Sequence, residues 1–108
     1  MAYKELALYI MEQLDALEDV RYISMMGGYL FYYKDRIFGG IYDDGYFFVK
    51  ITKASQSFLP DSIPRSPYEG AKPMLPADEI IDNRDQFANM VEQMYDELPQ
   101  PKPKKKKK

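Results

Sequence analysis

The sequence predicts an α+β fold: an antiparallel sheet of four to five strands, an N-terminal and a C-terminal helix, and a short middle helix. Three observations carry this expectation. The run MMGGYLFYYKDRIFGGIYDDGYFFVK, residues 25–50, is punctuated at Gly27-Gly28, Lys34-Asp35 and Asp43-Asp44-Gly45, with β-branched and aromatic residues between the breaks, which is the pattern of a meander. Apolar residues recur at helical spacing on either side of that run. The 108-residue length suits one domain able to bury about two thirds of its unfolded surface.

Taken in order, residues 3–17 place Tyr3, Ala7, Ile10, Leu14 and Leu17 on one helical face, with Lys4, Glu12 and Asp15 elsewhere. Glu18-Asp19 breaks the pattern, and residues 20–25 read as a strand. Gly27-Gly28 permits a tight turn, and strands follow at about 29–34, 36–42 and 45–51. Alternation puts Ile37, Gly39 and Ile41 on one face and Phe38, Gly40 and Tyr42 on the other; Phe47, Val49 and Ile51 oppose Tyr46, Phe48 and Lys50. Both faces are therefore apolar or aromatic, so the second face is expected to be partly covered, by a helix, the proline-rich loop or a second subunit. Gly39 and Gly40 sit mid-strand, which points to a bulge or a close crossing.

Thr52 suits the N-cap of a short helix through Phe58, stopped by Pro60. Five prolines between 60 and 76 make that stretch an extended loop, with room for an edge strand at 72–75. Asn83 followed by Gln86 is a capping pattern, and Phe87, Met90, Val91, Met94 and Leu98 line one face of a final helix. The domain is expected to span 1–98, with 99–108 a flexible proline- and lysine-rich tail.

Composition excludes whole classes of chemistry. There is no cysteine and no histidine, which removes disulfides, thiolate nucleophiles, Ser-His and Cys-His pairs, and the usual zinc ligands. No cofactor is expected. No apolar run approaches a membrane span, and MAYKELALYI lacks the layout of a secretory signal, so the expected location is cytoplasmic. Charge is unevenly placed. Lys102, Lys104, Lys105, Lys106, Lys107 and Lys108 are six of the fifteen basic residues, leaving nine basic against seventeen acidic in the rest, a net −8. An acidic body repels phosphate backbones, which argues against a nucleic-acid reader in the folded part.

Residues Arg21 to Tyr29, RYISMMGGY, resemble the signature of the TfoX N-terminal domain family: an aromatic, then Met-Phe-Gly, then a tyrosine-rich strand. Phe38-Gly39-Gly40-Ile41 followed by Asp43-Asp44 and a strand ending Val49-Lys50 is also similar, as are Tyr68-Glu69-Gly70-Ala71-Lys72-Pro73-Met74 and the lysine-rich end. The likeness covers residues 3–108. Met26 stands where phenylalanine is commoner, and Lys34-Asp35 where Asp-Gly is commoner. The resemblance implies a two-layer α+β fold similar to secretion-chaperone-like domains, of α-β3-α-β2-α type, and a stand-alone N-terminal domain without the C-terminal helical domain of longer members. It implies a regulator of natural competence, a coactivator beside a cyclic-AMP receptor type transcription factor, and no enzyme.

The candidate residues each carry a functional and a plainer reading. Asp43-Asp44 offers carboxylates for a metal or a general base, yet beside Gly45 it reads better as a hairpin turn. Residues 44–51 echo an RNA-recognition strand, but Asp44 has the wrong sign, Phe47 is too large and Ile51 is not aromatic. The glycine pairs lack a phosphate-loop context. Carboxylates such as Asp43, Asp78 or Glu79 alone leave few acid–base schemes for an enzyme. Tyr29, Phe31, Tyr33, Phe38, Tyr42, Tyr46 and Phe48 suit core packing, a partner or subunit interface, or a ligand pocket. The tail lysines Lys102, Lys104, Lys105, Lys106, Lys107 and Lys108 suit a solubilising segment or weak, salt-sensitive anion and nucleic-acid binding. The leading expectation is a regulatory or adaptor protein acting through protein contacts as a homodimer, with a transcription factor or other protein as partner and no membrane. The alternative is an accessory nucleic-acid binder using the tail.

Overall fold

A computed structural model describes residues 3–25, 27–42 and 45–98. The elements run α1 Lys4–Gln13, β1 Val20–Met25, β2 Gly28–Tyr33, β3 Arg36–Ile41, β4 Phe47–Val49, α2 Lys53–Phe58, β5 Leu75–Pro76 and α3 Arg84–Met94, with 3-10 turns at Asp78–Ile80 and Tyr95–Glu97. The strands form one antiparallel sheet in sequence order, β1-β2-β3-β4-β5; short returns join the first four, and β5 comes back to β4 only after α2 and the proline-rich loop. The α+β class is as expected. The strand grouping differs from the implied one: four strands precede α2 and one follows, because Phe47–Val49 pairs with β3 before the chain turns into the helix.

The three helices cover one face of the sheet. Ala7 and Ile10 of α1, Ala54 of α2, and Phe87, Met90, Val91 and Met94 of α3 pack against Tyr29, Phe31, Tyr33, Ile41, Phe47 and Val49 in one buried cluster. Phe31 lies at its centre, with the rings of Phe38 and Phe47 at 6.2 and 5.8 Å. Helix α1 ends four residues earlier than expected. From Leu14 onward the chain tightens into i−3 bonds, Asp15 N–H to Glu12 O and Leu17 N–H to Leu14 O, and the turn closes on Asp19 at φ +64. Asp19 O in turn accepts the amide of Lys34 at 2.8 Å, tying the start of β1 to the β2–β3 turn.

The alternation read for β3 holds only in part. The register shifts between Phe31 and Tyr32: Phe31 faces Gly39, Tyr32 faces Ile37, and Phe38 is the extra residue. This bulge turns Phe38 inward with Ile41, not outward with Tyr42. The glycine at 39 is required by a close approach, since a Cβ there would sit 2.3 Å from Phe48 O. Both the bulge and the crowding anticipated at the mid-strand glycines are present.

Caps and crosslinks fix the helices. Thr52 accepts from the Ser55 amide at 2.9 Å while the Ser55 hydroxyl accepts the Thr52 amide at 2.8 Å. Glu97 accepts the next amides, Lys53 at 2.8 Å and Ala54 at 3.3 Å, joining the end of α3 to the start of α2. Asn83 caps α3 through the Gln86 amide. Arg36 Nη1 donates to the carbonyls of Tyr95 and Leu98, so β3 holds the C-terminal end of the domain.

The proline-rich segment crosses the opposite face of the sheet. Arg65 and Met74 exchange backbone bonds at 2.9 Å each, making a narrow return, and Leu75–Pro76 then pairs with β4 as an edge strand that tolerates proline. The strand falls slightly later than the 72–75 expected. Met74 closes a small cluster with Tyr42 and Phe48, and Leu30 packs beside it. The second face is thus partly covered, and the proline loop does it.

Candidate functional site

Side-chain parity decides which of the sheet residues can meet a partner. Tyr29, Phe31, Tyr33 and Phe38 point into the helix-covered core, and Tyr42 and Phe48 lie beneath the proline loop. Of the seven aromatics weighed for core packing or an interface, six are therefore buried by the chain itself; only Tyr46, 49% exposed, is open to solvent. The parity of β2 and the β3 bulge are the reasons. The clustered tyrosines and phenylalanines are chiefly packing residues.

The open surface is made of other residues. On β1 the outward positions are Arg21 and Ile23, paired across the ladder with Tyr32 and Leu30. Ile37 stands opposite Tyr32 on β3. These five side chains adjoin one another on the loop-side face, and Leu30 at their border also packs against the cluster beneath the Arg65–Met74 return. Ile23 is 41% exposed, and Leu30, Tyr32 and Ile37 are half-buried. The Arg21 guanidinium lies 4.6 Å from the centre of the Tyr32 ring, a cation–π contact at the surface. Aliphatic side chains beside a tyrosine and an arginine are the composition of an interface centre.

The patch borders an unpaired edge. Among the described residues no strand pairs with the outer side of β1, which runs six residues, Val20–Met25, with neither proline nor bulge. Such an edge offers a row of backbone donors and acceptors to another strand. Only Arg21 places a charge on it.

The carboxylates expected as catalytic candidates do not converge. Asp78 accepts the Phe47 amide at 3.2 Å and so fixes the start of β4, while Glu79 is exposed in the adjoining 3-10 turn. Asp43 and Asp44 lie outside the described residues. Their flanks make a tight return: Gly45, at φ +83, donates to Tyr42 O at 2.7 Å. No group of three or more metal-ligating side chains occurs among the described residues. The tail lysines weighed as a solubilising or an anion-binding segment, Lys102, Lys104, Lys105, Lys106, Lys107 and Lys108, also lie outside the described residues, so the candidate surface is built without them. No described helix is long and apolar enough to cross a membrane.

Sequence reasoning drew a possible interface from the clustered aromatics, Tyr32 among the tyrosines it weighed, and left Arg21, Ile23, Leu30 and Ile37 out of it. The alternation of β1 carried a usable signal, since Arg21 and Ile23 oppose Val20 and Tyr22 on a strand with no partner on its outer side.

Fold and surface together define a two-layer α+β domain that screens one face of its sheet with helices and leaves one end of the other face open. The chain belongs to the TfoX N-terminal domain family, whose pattern matches residues 12–98. That family is regulatory and non-enzymatic. The chain is also similar to an uncharacterized 12.7 kDa protein in the trpE 5′ region of Spirochaeta aurantia, 29% identical over 101 residues, which covers 94% of this chain and 87% of that protein. No solved structure matches it.

Proposed function

We propose that this protein is a regulatory adaptor that acts through protein contacts made by the open end of its sheet, and that it works as a homodimer. The observation that carries this reading is the patch of Arg21, Ile23, Leu30, Tyr32 and Ile37 lying beside the unpaired edge of β1. An antiparallel β1–β1 pairing about a two-fold axis would continue the sheet and join the two patches on one face. Registers centred on Tyr22 or Ile23 keep the two Arg21 side chains from facing each other, so like charges do not oppose the pairing. The family membership supports a regulatory role, of the coactivator type found in competence regulators, with a transcription factor or polymerase subunit as partner.

A tagged pull-down from the native cell tests the partner, run in parallel with the Tyr32→Ala and Ile23→Lys variants. Recovery of a transcription factor or polymerase subunit by the wild type, lost in both variants, is the expected result. Equal recovery by the variants would move the contact surface elsewhere.

A further inference from the structure

A cleft of about 460 Å³ opens at the other end of the same face, between the proline-rich loop and the start of α2. Tyr42, Lys50, Tyr68 and Lys72 line it, with Pro67 and Met74 in its walls. The contact surface uses none of these residues. The volume lies within the range of small-molecule sites.

Cations outnumber anions in this cleft, with Lys50 and Lys72 set against a single carboxylate among the described residues. Neither Lys50 nor Lys72 makes an ion pair among the described residues, although the body of the protein carries eight surplus negative charges. Burial pushes the Lys50 ammonium below its ordinary pKa, and the like charge of Lys72 pushes it further in the same direction. The one carboxylate lining the cleft among the described residues is Glu97, and its two oxygens already accept the amides of Lys53 and Ala54. The Tyr42 phenol donates no hydrogen bond to a described residue. Burial raises its pKa first, and the neighbouring Tyr68 second, so it stays a protonated donor at neutral pH. The two tyrosine rings lie 5.6 Å apart, tilted at 46°, and give the cleft an aromatic wall.

We propose that this cleft binds a small organic anion, a carboxylate or phosphate carried on a flat apolar body. Lys50 and Lys72 take the charged group, the Tyr42 hydroxyl donates to it, and the body rests on Tyr68, Pro67 and Met74. Lys50 is half-buried beside Lys72 and makes no ion pair among the described residues, and an anion between the two lysines offsets that cost. The site is independent of the β1 edge, so its failure leaves the contact reading untouched.

The test is an NMR titration of the ¹⁵N-labelled full chain with benzoate, with phenyl phosphate and with uncharged benzyl alcohol. Saturable shifts at the amides of 42, 50 and 68–72 are expected with one or both anions, at a Kd of about 1 mM or tighter. Benzyl alcohol should give none. Lys50→Met should weaken binding by about tenfold or more without lowering the thermal unfolding midpoint, because it removes a half-buried cation that makes no ion pair among the described residues and keeps its apolar stem. Lys72→Met, at an exposed position, should weaken binding comparably and gives the same readout should the first variant unfold. The proposal is overturned by absence of saturation with both anions, by equal shifts from benzyl alcohol, by unchanged binding in Lys72→Met, or by shifts confined to residues 99–108.

Discussion

On its inner face the sheet presents Tyr29, Phe31, Tyr33, Phe38, Ile41, Phe47 and Val49 to three helices, and each is buried. On its outer face the same strands present Arg21, Ile23, Leu30, Tyr32 and Ile37 to solvent at one end, and Tyr42 and Phe48 to a proline loop at the other. Residue types hardly distinguish the faces; both are rich in aromatics and aliphatics. What differs is the cover. A helix buries a stripe several residues wide and brings its own satisfied backbone, whereas an extended loop covers only a narrow strip and stays near the strand it pairs with. The uncovered end is therefore apolar surface that the fold does not need for its own core.

This contrast can be broken by substitution, and the effects should fall steeply from the inner face outward. Phe31→Ala removes a ring packed against Tyr22, Phe38 and Phe47 and should cost about 3–5 kcal/mol in urea unfolding, enough to leave little folded protein. Gly39→Ala tests the crossing between β3 and β4: with Phe48 O at 2.3 Å from the new methyl, backbone must shift, and a loss of about 1–3 kcal/mol is expected. Tyr68→Ala strips the loop of its ring contact with Tyr42 and should cost about 1 kcal/mol, with faster amide exchange confined to residues 65–74. Ile23→Lys alters only the open end and should change stability by no more than about 0.5 kcal/mol. Its effect should appear in association instead.

The fold was legible in the sequence because its signals are local. Gly27 does lie in a turn at φ +76, Thr52 and Asn83 do cap helices, and the meander of the first four strands needs no long-range pairing to be inferred. The extent of α1 was less legible, since Leu14 and Leu17 fit a helical period as well as they fit the turn beyond it. The candidate surface was the hardest part. One bulge reverses the parity of Phe38, and the reach of the loop over Tyr42 and Phe48 depends on a bridge between Arg65 and Met74 nine residues apart. Neither leaves a periodic trace. The cleft at Lys50 and Lys72 was equally hidden, because it joins a strand end to a loop through tertiary packing alone.

The central claim is that the open end of the sheet is a contact surface between copies of this chain. Light scattering at micromolar concentration tests it most directly, with wild type and Ile23→Lys compared at matched thermal midpoints. The account predicts twice the 12.7 kDa chain mass for the wild type and a single chain for the variant. A monomeric wild type, or a variant that stays dimeric, would contradict it.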